Sequence, residues 1–139
     1  MRTNFWLNQK FQEIKNQSFN DVPLENTVIV KFGQKSRTRL GSIILKKLSG
    51  YPTKVSFITI TGFMRDEKIP EEIVEITLAH ELVHYTHGFS SPRRRLYRFP
   101  HQGSIVDSEL IKRGLKEKLI FQKKWIKNNW RKTININTI

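Results

Sequence analysis

The sequence contains no cysteine. That excludes disulfide scaffolds, zinc ribbons, thiol redox chemistry and cysteine nucleophiles together. It also means that any metal site must be built from histidine and carboxylates. No run of 18 apolar residues occurs, so the sequence predicts no membrane span. The first residues, Met1-Arg2-Thr3-Asn4-Phe5-Trp6-Leu7-Asn8, lack the apolar stretch and cleavage site of a secretory signal. A cytoplasmic protein is the expectation. Histidine is scarce, with four in 139 residues, and acidic residues are outnumbered 25 to 12 by lysine and arginine.

What is present is a chain long enough for one core, with nine Phe and three Trp to fill it. The net charge of +13 makes acidic partners the natural expectation, either nucleic acid or an anionic surface. The charge is uneven. Residues 31–54 carry +7 and residues 110–139 carry +8, whereas residues 55–81 carry −4. Basic blocks therefore flank one acidic stretch, which runs into His80-Glu81-Leu82-Val83-His84.

Residues 5–15 read as a helix, with Leu7, Phe11 and Ile14 at i, i+4 and i+7. Thr27–Phe32 and Leu40–Leu45 are β-rich runs, and Gly33-Gln34-Lys35-Ser36-Arg37-Thr38 between them predicts a hairpin. Val55–Thr61 alternates and reads as the best strand of the chain. Pro70 fits a first helical position, followed by Glu71 and Glu72 at the positive end of the helix dipole. That helix should run to about His87 and stop at Gly88. It is apolar nearly all round and should be buried. Ser90–Pro100 reads as a loop, with a helix from about Ile105 to Gly114. A further amphipathic stretch carries Leu115, Leu119, Gln122 and Ile126, and residues 133–139 read as a frayed end. No repeat or linker divides the chain. Residues 1–115 are expected to form the main domain, with 116–139 a basic helical extension of it.

His80-Glu81-Leu82-Val83-His84 is HExxH on a predicted helix. Residues i and i+4 stack on one face, so both imidazoles can reach one ion. Glu81 points about 80° away, where it can take a proton from a water activated by zinc. The bland alternative is a pair of core histidines that only satisfy hydrogen bonds. A catalytic zinc needs a third protein ligand and an open position. His87 shares the face of His80 but lies about 10 Å along the axis, too far for a regular helix. His101 can return through the 90–100 loop. Asp107 and Glu109 are carboxylate alternatives, and all three stay open on spacing alone.

These residues resemble a known family. The order is a hairpin, the strand Val55–Thr61, a helix with Ala79-His80-Glu81-Leu82-Val83-His84, a loop, then His101-Gln102-Gly103 before a helix. This is similar to the SprT-like zinc metallopeptidases, the group that includes Spartan. The resemblance spans roughly residues 27–115. It implies an α+β, zincin-like fold, with a small antiparallel or mixed sheet packed on the HExxH helix and additional N- and C-terminal helices. It implies one Zn²⁺ held by His80, His84 and His101, with Glu81 as general base, and a protein or peptide substrate. Spartan-like members act on proteins crosslinked to DNA. The His-Gly step is one residue longer here than in the family. An ImmA/IrrE-like regulatory metallopeptidase is the rival, with Asp107 or Glu109 as third ligand. A basic nucleic-acid-binding module with a non-catalytic zinc site is the other.

Substrate pairing is expected along Val55–Thr61, as an extended strand beside the site. An oxyanion donor is also required, and Tyr97, Arg98 and His87 are the candidates. DNA or RNA contact is expected of Arg93, Arg94, Arg95 and Arg98 in the loop, and of Lys123, Lys124 and Trp125 in the tail. A solvated cationic helix, or one lying on an anionic membrane, would carry the same residues.

Overall fold

The computed structural model describes residues 1–137. The chain folds as α+β, with a three-stranded mixed sheet and helices packed on it. Helix α1 (Asn4–Ser18) starts at Thr3, whose hydroxyl accepts from the Trp6 N–H at 3.1 Å. Its buried residues are Leu7, Phe11 and Ile14, the stripe read from the sequence. Strands β1 (Val28–Phe32), β2 (Gly41–Lys46) and β3 (Val55–Ile60) follow.

The expected β1–β2 hairpin does not form. The strand order is β1-β3-β2, with β3 parallel to β1 and antiparallel to β2. The reason is burial. Val55, Ser56, Ile58 and Ile60 are fully buried, so β3 is apolar enough to take the centre, while β2 is only partly covered. The 33–40 segment crosses the end of β3 and is tied to it. Gly33 N–H donates to Ile60 O at 2.8 Å, and Thr61 N–H donates to Leu40 O at 2.9 Å. The Thr61 hydroxyl bonds both the N–H and the carbonyl of Ser36.

This order also corrects the expected substrate strand. Both edges of β3 are used, so Val55–Thr61 has no ladder left to offer. The outer edge of β1 is closed by α1: Asn4 Oδ1 accepts from Phe32 N–H at 2.9 Å, and Asn8 Nδ2 donates to Val30 O at 3.0 Å. The outer edge of β2 has no such cover among the described residues.

Helix α2 (Glu71–Thr86) is the centre of the molecule. Pro70 is extended (φ −57°, ψ 145°) and caps the helix from one position earlier than expected. Glu71 and Glu72 occupy the first turn. Gly88 ends the helix at φ +85°, and a side chain there would collide with the Arg94 carbonyl. Helix α3 (Ile105–Lys112) is followed by a turn at Gly114 (φ +83°). Helix α4 (Lys116–Trp125) runs through a π-helical turn, Ile126–Trp130, into α5 (Arg131–Asn137).

The frayed end expected at 133–139 is helical as far as Asn137, and residues 138 and 139 lie outside the described residues. Ile134 is buried in the core, and Trp130 is anchored by its ring on Phe63 and its Nε1–H on Arg37 O at 2.8 Å. Those contacts hold the last helix down. The buried residues of α4 to α5, Leu119, Trp130 and Ile134, belong to the same core as α1, α2 and the sheet. No helix among the described residues is long and apolar enough to cross a membrane.

Ile58 sits at the centre of β3 against α2, fully buried. Ile58→Ala should cost about 2–5 kcal/mol in denaturant unfolding, through lost transfer energy and the cavity left behind.

Candidate metal centre

Burial of α2 carries two histidines and a glutamate into the interior. Glu81 and His84 are buried and His80 is half-buried. His101 reaches them from the far end of the 89–100 loop, which is fastened at several points. Leu96 N–H donates to His87 O at 2.9 Å, the Ser91 hydroxyl donates to Tyr85 O at 2.8 Å, and the Ser56 hydroxyl donates to Ser90 O at 2.7 Å. The loop thus folds back over the C-terminal half of α2 and delivers His101 to its face.

The result is a convergence of three imidazoles. His101 Nε2 lies 3.2 Å from His80 Nε2 and 3.1 Å from His84 Nε2. Each neutral ring offers one N–H or one lone pair at that atom, so His101 cannot satisfy both neighbours at once. One cation satisfies all three lone pairs. Tetrahedral ligation at about 2.0–2.1 Å places ligand nitrogens about 3.3 Å apart, close to the observed spacings. His80, His84 and His101 can therefore hold a metal ion.

The electrostatics agree with the donor set. Burial, then the neighbouring His101, pushes the His80 imidazole down to about 4. Burial, then His80 and His101, pushes His84 down to about 3. Both rings are neutral at pH 7, the form that binds metal. Burial pushes the Glu81 carboxyl up to about 8, opposed only by the charge of Arg39. The His84 ring is fixed by packing, edge to face with Phe89 at 6.4 Å, since its buried Nδ1 has no hydrogen-bond partner among the described residues.

The carboxylate alternatives are engaged elsewhere. Glu109 accepts from Arg113 Nε at 2.8 Å and faces His87 Nε2 at 3.6 Å. Asp107 lies in the cleft beside His80 and His101 but is paired with Lys123 at 2.6 Å. Neither joins the three-nitrogen cluster.

A cleft runs across the face that carries the three histidines, in two lobes. One, of about 780 Å³, lies towards α4, and the other, of about 490 Å³, lies between β2 and the 89–101 loop. Gly41 on β2 forms part of both, and a side chain there would press on Thr77 and on Glu81 Oε2. The glycine lets the edge strand approach the carboxyl. None of the three oxyanion candidates lines either lobe. His87 is buried with its ring against Tyr97 at 4.8 Å, Tyr97 lines a separate hollow beside α3, and Arg98 stacks over Phe99.

The basic candidates are divided. Arg93 reaches Glu25 and the Thr86 carbonyl, Arg94 is exposed, and Arg95 lines the smaller lobe. Lys123 is paired with Asp107, Lys124 is exposed, and Trp125 is half-buried against Trp130 at 6.5 Å. Sequence reasoning missed Arg39 and the β2 edge. Arg39 belonged only to a basic block, with no motif around it.

His101 is exposed, so His101→Ala should leave the stability of the metal-free protein within about 0.5 kcal/mol. Zinc affinity by calorimetry should fall by more than the roughly 100-fold that loss of an outer-shell partner costs. The metal-free protein should also show the titration of Glu81. Its carboxyl is protonated in the folded chain up to about pH 8, whereas the unfolded chain ionises it from about 4.5. The contribution is complete below pH 4.5 and is lost as pH rises towards 8. Urea melts at pH 5, 6.5 and 8 should show wild type losing ground to Glu81→Gln, by at most about 1.4 kcal/mol per pH unit. The chain matches no protein-family model, no curated protein and no solved structure, so the geometry of this centre is what carries its reading.

Proposed function

We propose that the protein is a zinc metallopeptidase of zincin-like architecture, related in organisation to the SprT-like enzymes. The observation that carries this reading is the meeting of His80, His84 and His101 at 3.1–3.2 Å, with Glu81 on the next position of the same helix. Zinc suits three neutral imidazoles in a chain without thiols, and when bound it supplies Lewis acidity and an activated water.

The residues of the chain divide the remaining work. His80 and His84 are fixed by α2, and His101 closes the triad from the loop. The three leave room for a further ligand, since no fourth group joins them among the described residues. Burial makes the ionised Glu81 carboxylate a stronger base than an ordinary one, so in that form it accepts a proton from the attacking water, and the carboxyl so formed donates it to the departing amine. The unpaired edge of β2 runs beside this carboxyl, as Gly41 allows. An extended peptide laid on that edge would present its carbonyl to the centre by main-chain pairing. Substrates are protein segments, and the basic character of the chain (+13) favours acidic or nucleic-acid-associated ones.

Glu81→Gln removes the proton acceptor while leaving the three nitrogens. Cleavage of an unfolded model protein by the zinc-loaded chain should fall by about 10²–10⁴-fold, with zinc content by atomic absorption unchanged. Cleavage that survives this substitution, or zinc-loaded wild type that cuts nothing with or without DNA, overturns the reading.

A further inference from the structure

The smaller lobe has walls of different character. One wall is β2, through Gly41, Ser42, Ile43 and Ile44, and the opposite wall is the 89–101 loop. Two arginines line it, Arg39 at the start of the β2 wall and Arg95 on the loop. Each is an exposed cation with no carboxylate partner among the described residues. The lobe has one carboxyl, that of Glu81 on its floor. Arg95 is also placed. Its guanidinium sits 4.8 Å from the centre of the Phe89 ring, and Phe89 is itself buried edge to face against His84. Arg39 lines both lobes together with His80, Glu81 and His101, so it stands where the lobes meet. Its main chain is fixed by the Ser36 hydroxyl, which accepts from Arg39 N–H at 3.0 Å.

We propose that this lobe selects an acidic side chain, Glu or Asp, on an extended peptide paired with the outer edge of β2, and that Arg39 and Arg95 are the specificity-determining residues. The proposal rests on the peptidase reading for the fate of the peptide, not for its binding. Planar guanidinium groups match a carboxylate by paired, charge-assisted hydrogen bonds. The edge of β2 offers alternating N–H and carbonyl groups, which a peptide main chain complements and a phosphodiester does not. The apolar Ile43 and Ile44 on the same wall likewise fit flanking side chains of a peptide better than a phosphate backbone. A peptide is therefore the occupant that both walls accommodate.

The test uses the full chain and a set of fluorescent twelve-residue peptides, uncharged except for one Glu moved along the sequence, with Gln and Lys counterparts. Binding is read by anisotropy on the metal-free protein, and cleavage by mass spectrometry on the zinc-loaded protein. At the best position the Glu peptide should bind at least about tenfold more tightly than its Gln counterpart. Arg95→Glu should abolish that preference and favour the Lys peptide, and Arg39→Gln should weaken the Glu peptide more than the Gln one. Both residues are exposed, and circular dichroism checks that the variants fold. Equal binding of Glu and Gln peptides overturns the proposal, as does a Glu preference retained by Arg95→Glu. A twelve-nucleotide oligothymidylate that binds more tightly than the Glu peptide and displaces it assigns the arginines to nucleic acid and overturns it too. A selective Glu peptide that zinc-loaded wild type fails to cut leaves the acidic subsite standing and removes the peptidase reading instead.

Discussion

Ionisable groups on a buried helix are the constraint around which this molecule is arranged. Helix α2 is apolar on nearly every side and lies between the sheet, α1, α3 and α4. A charged imidazolium or carboxylate in such a place is costly, so His80 and His84 are held neutral and Glu81 is held protonated. These are the states in which two lone pairs and one exchangeable proton face a common cleft. The desolvation that makes the residues expensive is also what makes them chemically useful.

The third histidine depends on a different physics, that of a loop held in one path. Residues 89–100 contain no regular secondary structure, yet bonds to Tyr85, His87 and Ser56 fix their route. Gly88 allows the tight reversal because the Arg94 backbone returns where a side chain would stand. His101 is exposed, but its position is determined by this buried stitching. A single ion between three rings would in turn lock the loop to the helix, coupling metal binding to the shape of the cleft.

The sheet gives the cleft its direction. With β3 in the centre and β1 closed by asparagines from α1, the one open edge among the described residues is that of β2, and it borders the face with the three histidines. The net charge of +13 takes on local meaning beside it. Some cations are consumed by Glu25, Asp21, Glu75 and Asp107, while Arg39 and Arg95 line the cleft and form no ion pair among the described residues. Part of a surplus of charge that looked global from composition therefore borders the cleft.

The sequence by itself determined the local features. The stripe of α1, the bounds of α2 within one residue, the stop at Gly88 and the pairing of His80 with His84 all follow from spacing and from cap residues. Such signals act over a few residues, so the sequence carries them directly. Several features were decided only in tertiary structure. The central place of β3 depended on competition between strands for burial, which no single strand reveals. The helical state of residues 133–137 came from Ile134 and Trp130 docking into the core, against weak local preference. The choice of His101 over Asp107 and Glu109 required knowing that Lys123, Arg113 and His87 engage those acids. Arg39 entered the site because the 33–40 segment crosses the end of β3. The i, i+4 spacing of two imidazoles on a helix is a property of the chain, whereas the third imidazole and the walls of the cleft are properties of the packing.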